Sequence, residues 1–147
     1  MRMLVLALTM FPLLVLTAWA AEDSRQPVTM PAMMQEHMLA NMRDHLLAVS
    51  EIQAALAAGQ YDAAAEIAEK RLGMSSLEAH GARHMAAMMP ESMQAIGTAM
   101  HDSASRFSLI AQEAAVTGNL ARALGGLAEI TRQCVACHVG YRLVTSP

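Results

Sequence analysis

The chain has 147 residues, enough for one domain, of which 54% are hydrophobic, 16% charged and only 3% aromatic. With 14 methionines and abundant alanine and leucine, it favours helices over strands. A formal charge of −3 argues against nucleic acid as a partner, and a single lysine, Lys70, leaves no lysine-ringed docking face.

At the N-terminus Arg2 precedes an apolar run from Leu4 to Leu16, and Ala18-Trp19-Ala20 places small residues where a signal peptidase cuts. The run is broken by Pro12 and is short for a membrane span. Residues 1–20 therefore read as a cleaved secretory signal, with an uncleaved anchor as the competing reading. Cleavage would leave no membrane span and would remove only one charge, that of Arg2. Residues 21–30, polar and acidic at first, read as a flexible leader, and residues 31–147 as the folded domain.

A first helix is expected from about Pro31 to Ala58. Met38, Met42, His45, Val49, Ile52 and Leu56 recur four and three apart, the pattern of a helix packed lengthwise in a bundle. Gly59 stops it, and Asp62 is a plausible N-cap for a second helix that turns Ala64, Ile67, Ala68 and Leu72 inward and ends at Gly73. Ser75 and Glu78 have capping-box spacing and open a short helix through Met88. Pro90 suits a first helical turn, and the long helix after it carries the stripe Ile96, Met100, Ser103, Phe107, Ile110, Ala114. Gly118-Asn119 supplies a stop and a new N-cap. In the last helix Leu120, Leu124, Leu127, Thr131, Cys134, His138 and Tyr141 form the inward stripe, and Gly125-Gly126 signals little beyond a close helix approach. Without βαβ alternation, these segments predict an all-α chain, an antiparallel four-helix bundle.

The chemistry is concentrated in Cys134-Val135-Ala136-Cys137-His138, which contains the only two cysteines. Cys-x-x-Cys-His is the arrangement that attaches a c-type haem. On a helix, positions three and four apart share a face, so both sulfurs and the imidazole point the same way. The spacing thus predicts one covalent haem c, held by Cys134 and Cys137, with His138 as the proximal iron ligand. A thioredoxin-like pair would need a strand–helix context, a zinc site two further ligands, and a simple disulfide no histidine. Haem is attached to such cysteines outside the bacterial cytoplasmic membrane. Motif and signal therefore both point to the periplasm.

The run Cys134-Val135-Ala136-Cys137-His138-Val139-Gly140-Tyr141-Arg142, at the very end of a helical chain, resembles the C-terminal haem motif Cys-x-x-Cys-His-x-x-Tyr-Arg of the cytochrome c′ family, the class II c-type cytochromes. Weaker similarity covers Gly59-Gln60-Tyr61-Asp62 and Thr117-Gly118-Asn119. The resemblance implies a left-handed four-helix bundle with haem wedged near one end, and frequent homodimers. It also implies a distal residue on the first helix: methionine in the low-spin, Met-ligated branch, or a bulky noncoordinating residue where the iron stays open to NO or CO. Counted back from the end of the first helix, that position falls on Met42, which lies on the apolar stripe while Arg43 lies off it. Met38 one turn earlier and His45 one turn later remain open as ligands. The resemblance makes a tuning role at the imidazole plausible for Arg142, placed four residues after His138 on the expected helix. Tyr141 is expected beside the haem or the bundle end. Arg132 is a candidate for a haem propionate, against the commoner solvated arginine.

A second constellation is His80, His84 and Met88 at four-residue spacing, with Met85, Met89 and Met93 close by and Met33, Met34, His37 and Met38 crowding the first helix. Imidazole and thioether groups on one helical face are credible soft ligands for copper(I), weighed against ordinary packing. No carboxylate pair, Ser-His-Asp set or phosphate-cradling loop appears, so an enzyme is not expected. Three functions follow: an electron carrier exchanging with a periplasmic redox partner, a five-coordinate protein binding a small gas ligand, and a haem protein with a copper-binding face.

Overall fold

The computed structural model describes residues 22–146, so the expected signal at 1–20 lies outside the described residues. The fold class is all-α: 74% of the described residues are helical. In chain order the elements are β1 (Gln26–Met30), α1 (Ala32–Ala57), α2 (Tyr61–Arg71), a 3₁₀ turn (Met74–Ser76), α3 (Ala82–Ala86), α4 (Glu91–Thr117), α5 (Leu120–Gly140) and β2 (Tyr141–Thr145). No described helix is long and apolar enough to cross a membrane.

Local chemistry sets most helix ends. Pro31 and Pro90, with φ near −57° and −54°, precede α1 and α4, where a missing N–H leaves no helical bond unmade. α1 closes in a Schellman turn: Gly59 takes φ +70°, its N–H donates to Leu56 O, and the Gln60 N–H donates to Ala55 O at 2.8 Å. Gly118 ends α4 at φ +69°, and the Asn119 side chain accepts from the Arg122 N–H at 3.0 Å to start α5. The expected capping box does not form. Ser75 instead donates from Oγ to Glu69 O at 2.8 Å, and residues 77–81 are turn, so α3 is only five residues long.

α1 packs on α2, α2 on α4 and α4 on α5. The main core lies between them, around the fully buried Ile52, Ala64, Ala68, Ala104, Phe107, Ala111 and Ile130. A Cβ at Gly126 would stand 3.2 Å from both Phe107 Cδ2 and Ile110 Cδ1, so α5 approaches α4 closely there. Arg71 at the end of α2 is paired with Asp44 and Glu51 of α1, which ties those two helices together. The inward face of α5 is Ala123, Gly126, Leu127 and Ile130, rotated from the expected stripe, and Leu120 and Leu124 are exposed.

Two expectations are corrected at the chain ends. Residues 26–30 are not a flexible leader: they pair in parallel with β2, Gln26 opposite Tyr141 through Met30 opposite Thr145. Tyr141 and Arg142 do not continue the last helix, because Tyr141 is already extended at φ −132°, ψ 151°. β-Branched residues at Val28-Thr29 and Val144-Thr145 suit the pleat, and the strand alternates so that Val28 and Met30 are buried. Beneath the ribbon lies a second, methionine-rich core of Val28, Met30, Met38, Met85 and Met93, against which Met42, Cys137, Tyr141 and Leu143 pack.

Candidate functional site

A cavity of about 470 Å³ opens between α1, α3, α4, the end of α5 and β2. Cofactor and ligand sites commonly span about 300–1,000 Å³. Cys137 and His138 of α5 line it, as do Met42, Met38 and His45 of α1, and Tyr141 and Arg142 of β2. Cys134 stands one helical turn before Cys137, half-buried against the main core, its thiol toward Ile130 O at 3.5 Å. Both thiols are free, and burial pushes both above the usual cysteine range, so they are held protonated. His138 is exposed, and among the described residues its imidazole has no hydrogen-bond partner.

Tyr141 donates from its hydroxyl to Ser92 Oγ at 2.6 Å, which anchors the start of β2 to the start of α4. Arg142, turned off the helical face by the strand, lines the cavity rather than continuing α5 one turn beyond His138. Its Nε is buried without a hydrogen-bond partner, and Asp23 Oδ2 stands 3.8 Å away. Arg25 also lines the mouth and pairs with Asp23 at 2.8 Å; hydrogen bonds from Arg25 hold the Asp23 carboxyl down at about 2. Two guanidinium groups thus share one carboxylate. Arg132, by contrast, is exposed and paired with Glu129.

The inner wall carries three histidines. The rings of His45 and His80 lie 4.8 Å apart, His80 and His101 5.6 Å, and His45 and His101 5.7 Å. Ser76 Oγ donates to Gly73 O at 2.7 Å, so toward the rings it can only accept, from Nδ1 of His80 at 3.3 Å and of His101 at 3.4 Å. His101 Nδ1–H also reaches Leu72 O at 2.7 Å. His101 and His80 therefore carry their lone pairs on Nε2. Burial, then mutual repulsion, lowers the pKa of His45 to about 4; burial is also the first cause of the lowered values of His80 and His101. Among the described residues no trio of His, Cys, Asp or Glu is placed to hold a metal ion.

A pH dependence follows from His45. Between its native value of about 4 and its ordinary 6.5, the unfolded chain binds more protons than the native state. Stability contributed by neutral His45 is complete above pH 6.5, falls as pH falls and is gone near pH 4. The shift corresponds to something on the order of 3 kcal/mol. His80 and His101 act in the same sense, while Asp44 opposes and Arg71 reinforces the shift. Urea unfolding at pH 7 and pH 4.5 is expected to show a smaller acid loss in His45→Leu than in the parent chain; equal losses would refute it.

The structure thus gathers Cys137, His138, Met42, Tyr141 and Arg142 around one cavity, with Cys134 behind them. It does not gather the proposed copper run. His80 belongs to the turn before α3 and faces the cavity, whereas His84 and Met88 line a separate groove. Sequence reasoning missed His101, Met100 and Arg25 at this cavity. His101 follows Met100 of the inward stripe and was legible as a neighbour of it; Arg25 lay in the segment read as leader. No protein-family model, no characterised protein and no solved structure matches the chain.

Proposed function

We propose that the protein is a periplasmic monohaem c-type cytochrome that carries electrons, of the cytochrome c′ type. The observation that carries this reading is the single cavity that brings Cys137 and His138 of α5 beside Met42 of α1. The residues fit the group. Cys134 and Cys137 are protonated thiols one turn apart, suited to two thioether links, and among the described residues the His138 ring has no competing partner. The Arg142 guanidinium, on a side chain 39% exposed at the cavity, would supply donors for a propionate. α1, α2, α4 and α5 are read as the four helices of an antiparallel bundle, supported by their serial packing.

When bound, the haem supplies a one-electron couple whose potential its axial ligands and surroundings set. This chain supplies the rest. His138 would hold the iron through its imidazole, and Met42 would offer it a thioether, a ligand that favours the reduced state. Met38, Met85, Met89, Met93 and Met100 would give the group a largely apolar wall. Arg25 and Arg142 would offset the negative charge of the propionates. Neutral His45, His80 and His101 add no charge near the iron at neutral pH.

The optical spectrum of the purified chain, oxidised and reduced, before and after CO, tests this reading. Sharp, split bands in the reduced form with little response to CO are expected. Broad bands that shift at once with CO would replace the electron carrier with a gas-binding protein, and absence of haem bands would end both readings.

A further inference from the structure

The start of α1 and the short helix α3 face each other across an open groove of about 640 Å³, lined by Met33, Met34, His37, Arg83, His84 and Met88. We infer that this groove is a copper(I) site, with thioether sulfurs of Met33, Met34 and Met88 and imidazole nitrogens of His37 and His84 as its donor set. It shares no residue with the cavity that holds Cys137, His138 and Met42, so it stands independently of the haem.

Three observations carry it. The tautomer of His37 is already that of a ligand: its Nε2–H donates to the His80 carbonyl at 3.0 Å, which leaves the lone pair on Nδ1. A backbone carbonyl on the far nitrogen is the usual support of a metal-bound histidine. Gly81 makes that approach feasible, because a Cβ there would stand 3.2 Å from His37 Nε2, and Asn41 secures the same carbonyl with a second donor at 3.0 Å.

The thioether side chains differ in exposure across the groove. Met34 and Met88 are half-buried against the methionine-rich core, which holds their positions, while Met33 is 76% exposed and His84 is exposed. The groove is thus fixed on its inner side and open to an incoming ion on its outer side.

The lining selects the metal. Among the described residues no carboxylate lines the groove, and the Arg83 guanidinium adds positive charge, so a hard divalent ion finds neither carboxylate ligands nor a favourable field. Thioethers with imidazole suit a soft, singly charged ion, and copper(I) is that ion among first-row metals. Binding is ligand exchange only: the ion enters and leaves as copper(I), and the thioethers have no proton to release.

The experiment is an anaerobic competition of the full chain, as purified, against a chromogenic copper(I) chelator. One equivalent of copper(I) is expected to leave the chelator, with sulfur and nitrogen scatterers at the copper absorption edge. Met33→Leu with His84→Gln, both at exposed positions, is expected to weaken binding by on the order of 100-fold, given that even outer-shell losses weaken metal sites about 10- to 100-fold. Circular dichroism of that variant should match the parent, which separates a lost site from a lost fold. No withdrawal of copper, parental affinity in the double variant, or displacement of copper(I) by an equal concentration of zinc(II) would each overturn the assignment.

Discussion

Replacing Met42 by leucine is expected to open the distal side of the iron. Leucine keeps nearly the volume of methionine, so the half-buried position beside the methionine-rich core loses little packing, about 1 kcal/mol or less. The sulfur, however, is gone. The reduced protein should then bind CO rapidly where the parent hardly responds. Its reduction potential should fall by on the order of 100 mV, since a methionine axial ligand raises the potential of a haem and axial ligands span roughly 0.8 V. An unchanged spectrum and potential would remove Met42 as a ligand. If His45→Leu then produced the shift instead, the neutral imidazole one turn along α1 would be the distal ligand.

The second large effect is expected at the cysteines. In Cys134→Ser with Cys137→Ser, denaturing electrophoresis should show no haem on the polypeptide. The parent should retain one haem equivalent under the same conditions, visible as added mass on the intact chain. Serine preserves the size of each half-buried side chain but cannot form a thioether. Each single variant should retain one link and a correspondingly asymmetric spectrum. Haem that leaves the parent chain on denaturation would contradict covalent attachment, whatever the cavity binds.

Much of the helical framework was legible because helix formation is local. Pro31, Gly59, Pro90, Gly118 and Asn119 act on backbone within one turn of themselves, and each marks an observed boundary. The α1 stripe was also legible: Met38, His45, Ile52 and Leu56 are buried at the expected four and three spacing. In α5 the stripe was displaced because Gly126 lets α4 come close and draws Ala123 and Ile130 inward, leaving the larger Leu120 and Leu124 outside. A leucine-weighted pattern could not register a contact made possible by the absence of a side chain.

The parallel ribbon was not legible for a different reason. Two five-residue strands at opposite ends of the described chain satisfy each other's backbone groups, and neither has a partner nearby in sequence. That pairing redirects Tyr141 and Arg142 from a helical face to the mouth of the cavity and brings Arg25 there too. It sets Arg142 beside Asp23 in the cavity wall instead of one helical turn beyond His138.

By itself the sequence determined what depends on neighbours along the chain: an all-α framework, the helix ends, and two thiols and an imidazole spaced to share one helical face. Only the tertiary structure decided which distant side chains meet. It set Met42 and the three histidines in the same cavity as Cys137 and His138, and parted His80 from His84. The physical reason is that helical periodicity and capping are set within a few residues, whereas a cavity wall is assembled by packing between segments whose mutual register no local pattern encodes.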